Sequence, residues 1–302
     1  MTDYLLSYQP LFNQVLVFAL LGYSQVVVLR AGVFSVATVG IASIGAYASG
    51  IATVKWGWPA PAATVLSTGL GLVVGLLIAI PLSRLRGVYQ AIATIAMVQV
   101  VVSLTMYSES LTNGVLGLSN IPKGYDTPGF LLFLAAVMFA LANLKRSGTG
   151  RAFDAIRHEE TVAVALGISV TRQHAIAFGL SGLLAGLAGS LVAFYGRSLF
   201  PAQFGFHLLT EVLAFCVLGG MNSIWGPLIG AAILIVVPDF ARPLADNTLL
   251  FYGAVLIGSI VFLPHGVADT IGQWRLRRQF RKRAAALARE GADTPSAPGH
   301  AS

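Results

Sequence analysis

Polar side chains inside long apolar runs are the first candidates for chemistry in this sequence. Glu211 lies in the apolar run His207–Met221, and Gln99 and Tyr89 lie in the run Val88–Tyr107. Polar and ionisable groups are costly inside a bilayer, so those that occur there often line the path of a solute or an ion. The same groups can instead hydrogen-bond to a neighbouring helix, and the sequence leaves both interpretations open.

Catalytic and nucleotide-binding motifs are missing from the sequence. It contains no GxxxxGK[ST] phosphate loop, no HExxH zinc motif and no GxSxG nucleophile elbow. The five histidines show no metal-ligand spacing, and the single cysteine, Cys216, cannot form an intramolecular disulfide or a cysteine-based metal site. A membrane enzyme is therefore disfavoured, and we expect the chain to carry no cofactor of its own.

The composition places these residues in a membrane. The chain has 302 residues, of which 56% are hydrophobic and 10% charged, and its mean hydropathy is +0.78. Soluble domains carry roughly 25% charged residues. The apolar runs are continuous rather than alternating, which predicts membrane-spanning helices rather than a barrel. The 33 glycines fit close helix packing through small residues.

The expected fold class is all-α, a polytopic membrane protein with about 8–10 transmembrane helices. A transmembrane domain would cover residues 1–272, and residues 273–302 would form a basic, disordered tail. The short runs that start at His207 and Gly226 could be tilted or broken helices, or a re-entrant pair. The nine predicted runs are Leu11–Leu29, Ala31–Val54, Ala60–Leu82, Val88–Tyr107, Gly129–Leu144, Ala175–Tyr195, His207–Met221, Gly226–Val237 and Leu249–Leu263.

A charged segment, Leu144–His174, interrupts the apolar runs. Phe153 and Ile156 recur at helical spacing between charged residues, which predicts an amphipathic helix in its middle. Gly167 is a candidate stop, and Thr171 a candidate cap for the next helix. The segment is either a solvated connector or a docking surface for a cytoplasmic partner.

Basic residues give the expected orientation, because they concentrate in cytoplasmic loops. Nine crossings from an outside N-terminus place Arg30, the pair Arg84 and Arg86, the loop at about residues 145–173 and the C-terminal tail on the cytoplasmic side. The net charge of +7 then reflects topology and anionic lipid rather than nucleic-acid binding. The expected location is the bacterial plasma membrane, as a multi-pass protein with a cytoplasmic C-terminus.

Several motifs in this order resemble the LivM-type permease subunits of branched-chain amino acid ABC importers. They are RLRGVY at 84–89, GRAFDAIR at 150–157, ALGI at 165–168, VLGG at 217–220 and SIWGP at 223–227. The resemblance covers roughly residues 32–266. It departs from the family at GVFSVATVG (32–40) and LTNGVLGL (111–118). The substrate class therefore stays open: a hydrophobic or other small amino acid fits best, whereas related systems carry urea or aromatic acids.

The resemblance implies a subunit that imports a small amino acid by alternating access, driven by partner ATPases. The implied partners are a second, LivH-like permease, two cytoplasmic ATPase subunits that bind the ATP, and a soluble substrate-binding protein. The coupling contact with the ATPases would comprise Arg151, Phe153, Asp154, Ile156, Arg157, Leu166 and Gly167. The substrate path would include Gln99, Glu211 and Tyr89.

The alternative is a stand-alone secondary transporter or channel for a small solute such as an amino acid or urea. Such a protein would need ion-coupling acids within its spans, and Glu211 is the clearest one that the sequence offers.

Overall fold

The computed structural model describes residues 8–241, together with residues 253, 266–268 and 270. The predicted last span, Leu249–Leu263, and the basic tail from residue 273 lie outside the described residues. In chain order the helices are α1 (Gln9–Arg30), α2 (Ala37–Val54), α3 (Ala60–Leu82), α4 (Val88–Tyr107), α5 (Glu109–Thr112), α6 (Thr127–Arg146), α7 (Gly148–His158), α8 (Glu160–Ala165), α9 (Val170–Gly196), α10 (Phe206–Gly219) and α11 (Gly226–Ala241).

Six of these helices, α1, α2, α3, α4, α6 and α9, are long and apolar enough to cross a membrane. The shorter helices α10 and α11 match two further predicted runs. These eight helices confirm an all-α, polytopic membrane fold. Two short 3₁₀ turns, Gly114–Leu116 and Pro201–Phe204, lie in the connections.

Two helix starts differ from the prediction by more than two residues. The second span begins at Ala37 rather than Ala31, because the backbone turns at Gly32, whose φ is +79°. The sixth span begins at Val170, five residues before the predicted Ala175, and its N-cap is Ser169. The prediction that Thr171 caps this helix is therefore wrong, since Thr171 lies within its first turn.

Helix α9 forms the centre of the bundle and packs against α1, α2 and α3. Glycines make its contact with α3 very close: a Cβ atom added to Gly182 would lie 2.3 Å from the carbonyl oxygen of Gly71. Ser67 Oγ lies 2.6 Å from the carbonyl oxygen of Gly186 and 2.8 Å from that of Gly45, so it joins three helices at this crossing. Small residues thus allow backbone-to-backbone packing, as is common between membrane helices.

Buried carboxamides fix the ends of the neighbouring helices. Gln25 is 1% exposed; its Nε2 donates to the carbonyl oxygen of Ser35, and its Oε1 accepts from the Thr38 hydroxyl, both at 2.5 Å. Gln90 Nε2 donates to the carbonyl oxygen of Leu82 at 3.0 Å, across the turn between α3 and α4. Both carboxamides therefore satisfy backbone groups where the chain leaves its helices.

Ion pairs show which helix ends lie together. Arg30 at the end of α1 pairs with Asp154 of α7 at 2.8 Å. Arg86, just after α3, pairs with Glu160 of α8 at 2.9 Å. The ends of α1 and α3 and the helices α7 and α8 therefore share one end of the bundle, which we call the basic end.

Helices α10 and α11 form a hairpin whose turn, residues 220–225, lies at the basic end. The Lys145 ammonium donates to the carbonyl oxygen of Asn222 at 2.6 Å, and the Tyr23 hydroxyl of α1 donates to that of Ile224 at 2.6 Å. With 14 and 16 residues, the two helices span roughly 21 and 24 Å, less than the ~30 Å hydrocarbon core.

Candidate coupling site and solute path

Helices α7 and α8 make up the charged segment; we call residues 148–167 the coupling segment. Ser147 caps α7, because its Oγ accepts a hydrogen bond from the Gly150 amide at 3.3 Å. The backbone becomes extended at Glu159 and separates the two helices, a break that the periodicity does not predict. Gly167 has φ +80° and ends α8, which confirms the predicted stop, since this left-handed conformation favours glycine.

The apolar face of α7 packs against the protein itself. Phe153 and Ile156 are 2% and 5% exposed. Phe153 lines a cavity of about 30 Å³ together with Val27 of α1, Leu144 of α6 and Ile224 of the hairpin turn. A cavity of this size holds roughly one or two water molecules, which is too small for an organic solute. Phe153 and Ile156 thus anchor α7 to the bundle and do not face outward as a docking contact requires.

Charged groups of α7 make the same kind of attachment. The Asp154 carboxylate accepts two hydrogen bonds from the Arg30 guanidinium, at 2.8 and 3.1 Å. Arg157 Nη1 donates to Asn222 Oδ1 in the hairpin turn at 2.8 Å. Helix α7 is therefore tied by charge-assisted hydrogen bonds to α1 on one side and to the α10–α11 hairpin on the other.

The outward face of the coupling segment is on α8 and just beyond it. Val162 is 54% exposed, Val164 56% and Leu166 73%. Aliphatic side chains that are exposed to water are candidates for contact with another protein. The sequence pattern does not predict that Val162 and Val164 are exposed, because a short run of alternating aliphatic residues does not indicate which side chains pack against the bundle.

The seven predicted coupling residues thus fall into two groups. Leu166, Gly167 and Arg151 are exposed, whereas Phe153, Asp154, Ile156 and Arg157 lie against or bond to the chain itself.

The predicted path residues lie in two separate places. Gln99 and Tyr89 are both exposed on α4, Tyr89 at its first turn with 76% exposure. Glu211 lies on α10 and lines a cavity of about 380 Å³ at the end of the bundle opposite the basic end. Other polar residues that line this cavity are Gln14, Tyr195, Ser198, Gln203 and His207.

The size of the Glu211 cavity falls in the range of small-molecule pockets, roughly 300–1,000 Å³. The 3₁₀ turn Pro201–Phe204 connects it with α4, because the turn contributes Ala202, Gln203 and Phe204 to the cavity and also packs against α4. Among the residues that the structure describes, no three His, Cys, Asp or Glu side chains come together as metal ligands would.

Comparison with known proteins identifies the family. The family model described as "Branched-chain amino acid transport system / permease component" matches residues 8–260. The chain is 30% identical to the high-affinity branched-chain amino acid transport system permease protein LivM of Salmonella typhimurium, over 83% of this chain and 68% of that protein. It is 29% identical to LivM of Escherichia coli, with the same coverage.

A permease that is named for another cargo is also similar. The autoinducer 2 import system permease protein LsrC of an Enterobacter species is 30% identical over 72% of this chain and 65% of that protein. No solved structure matches the chain significantly. The matched residues include every helix described above, from α1 to α11. The chain therefore belongs to the family of permease components of branched-chain amino acid transport systems, and it is a multi-pass permease subunit of an ABC transporter.

Proposed function

We propose that this chain imports branched-chain or related small amino acids across a bacterial plasma membrane, with energy from two partner ATPases. A second, LivH-like permease completes the membrane part, and a soluble binding protein delivers the solute. The basic end then faces the cytoplasm, as the positive-inside rule requires. The proposed substrate class rests on the 30% identity to a LivM protein over most of the chain.

The ATPases dock on the outward face of the coupling segment. The observation that supports this contact is the exposure of three aliphatic residues, Val162, Val164 and Leu166, and of Arg151 in the same segment. An apolar surface with charged neighbours fits the groove of a partner protein. The inner side of the coupling segment supports this contact. Its residues Phe153, Ile156, Asp154 and Arg157 hold the segment against the rest of the chain, including α1 and the hairpin.

Motion of the ATPases can reach the membrane helices through these attachments. When the coupling segment moves, its bonds to Arg30 and Asn222 pull on α1 and on the α10–α11 hairpin, and α9 follows directly after Gly167. The elements then move as rigid bodies, which is one of the usual routes to alternating access.

The test of the transport function is uptake by the reconstituted complex. The chain is co-expressed with its second permease, ATPases and binding protein, and ¹⁴C-leucine uptake into proteoliposomes is measured. We expect uptake that requires ATP and is insensitive to a proton gradient. Accumulation by vesicles that contain this chain alone, after a pH jump, would support a secondary transporter instead.

The test of the docking surface is a pair of polar substitutions. Val162→Ser and Leu166→Ser remove apolar contact area, and we expect each to reduce the amount of ATPase that co-purifies with the permease. Val115→Ser is the matched control, because Val115 is 72% exposed but lies in the connection after α5, away from the coupling segment. Equal ATPase recovery from all three variants would contradict the assignment.

A further inference from the structure

Helix α4 exposes one continuous stripe along its whole length. The stripe contains Tyr89, Ile92, Ala96, Gln99, Val100, Ser103, Leu104 and Tyr107, which recur every three or four residues. The opposite face is buried: Val98 and Val101 pack against α2 near Gly40. The stripe is therefore one helix face that nothing in the described part of the chain covers.

Polar groups distinguish this stripe from the exposed faces of two other spans. The exposed residues of α3 are all apolar and include Val65, Val73 and Leu77. On α6 every exposed residue from Leu131 to Ala140 is apolar as well. Faces of that kind suit contact with lipid tails, whereas the α4 stripe carries the Gln99 carboxamide near its middle and the Ser103 hydroxyl one turn further on.

The position and the bonding of Gln99 make lipid tails a costly neighbour for it. Gln99 lies eleven residues after Val88 and eight before Tyr107, which places it about 17 Å and 12 Å from the two ends of the helix. Gln25 and Gln90 are buried and hydrogen-bonded within the chain, whereas the Gln99 carboxamide has no hydrogen-bond partner among the described residues. A carboxamide without partners is costly in hydrocarbon, so its surroundings must supply donors and acceptors.

We infer that the α4 stripe lines the aqueous path of the solute, which runs between this chain and the second permease subunit. The inference rests on the proposed function. A carboxamide can donate to a carboxylate and accept from an ammonium group, so Gln99 suits both charged groups of an amino acid. The neighbouring Ile92 and Val100 offer apolar contact to an aliphatic side chain.

Cysteine accessibility tests the inference in the assembled importer. The native Cys216 is fully buried, and Cys216→Ala provides a cysteine-free background. Gln99→Cys and Ser103→Cys probe the stripe, and Val73→Cys on the apolar face of α3 is the matched control. Each complex is treated in proteoliposomes with a charged, water-soluble methanethiosulfonate and, separately, with a lipid-soluble maleimide.

We expect the aqueous reagent to modify Gln99→Cys or Ser103→Cys about tenfold faster than Val73→Cys, because charged reagents reach only the cysteines that face water. Modification of Ser103→Cys should also block ATP-driven leucine uptake. If both stripe cysteines react no faster than Val73→Cys, the face is covered by lipid or by a dry interface and the inference is overturned. If the unmodified complex takes up no leucine, the proposed function fails, while the labelling comparison still decides the inference.

Discussion

The ion pair between Arg30 and Asp154 should determine how firmly α7 is held to the bundle. The Arg30 side chain is 15% exposed and the Asp154 side chain 45%. Hydrogen bonds to charged groups contribute about 1.5–3 kcal/mol, but the exposure of the carboxylate screens the pair. Arg30 Nε already lacks a partner among the described residues, so Asp154→Asn leaves a largely buried cation even less well satisfied. We expect the substitution to reduce the local stability of α7 by about 1–2 kcal/mol.

Hydrogen exchange on the permease in nanodiscs measures this quantity. A loss of about 1–2 kcal/mol in opening free energy corresponds to about five- to thirtyfold faster exchange of the α7 amides. The double variant Arg30→Gln with Asp154→Asn should lose little more than the worse single variant, because the two groups act through each other. Lys123→Gln is the control: it breaks the exposed Lys123–Asp126 pair, whose side chains are 67% and 71% exposed, and should leave α7 unchanged. Unaltered α7 exchange in Asp154→Asn, or full additivity in the double variant, would refute the reasoning.

Three further substitutions test the packing. Gly182→Val should prevent the close contact of α9 with α3, because even a Cβ atom would lie 2.3 Å from the Gly71 carbonyl oxygen; size-exclusion chromatography should show loss of folded protein, whereas Gly69→Val, which meets nothing within 4 Å, should not. Phe153→Ala should destabilise the protein by about 3–5 kcal/mol through a cavity, seen as a lower melting temperature than that of Leu166→Ala. Thr38→Val removes a donor to buried Gln25 and should cost about 1–3 kcal/mol, whereas Thr210→Val, at an exposed hydroxyl bonded within its own helix, should change the melting temperature little.

The spans and the stop at Gly167 could be predicted because each depends on local chemistry. A long apolar run must form a helix in lipid, and glycine accepts the left-handed turn at low cost. The second span was placed six residues too early for the same reason: residues 31–36 are mostly apolar, yet their turn is fixed by Gln25 and Thr94, which hydrogen-bond to Ser35 and Val36 from other helices.

The coupling segment shows where a sequence pattern stops being informative. The spacing of Phe153 and Ile156 predicts an apolar helix face, but the same pattern fits a face buried in its own chain or one offered to a partner. The structure shows that this face is buried in the chain, and the exposed face is supplied by α8, which begins after an unpredicted break at Glu159. The cavity around Glu211 brings together residues of α1, α9 and α10, which no local pattern relates.

Helix α9 is one uninterrupted rod of 27 residues, about 40 Å long. It starts three residues after the coupling segment. It ends at the far side of the bundle, close to an isolated antiparallel backbone pairing between Leu118 and Leu199. Because its glycine contacts with α3 lie near mid-length, the crossing can serve as a fulcrum. A tilt of about 10° about that point would displace each tip by roughly 3–4 Å in opposite directions, as follows from half the length of the rod. A displacement of one tip would thus move the other tip by the same distance in the opposite direction, and no hydrogen bond within the helix would have to break.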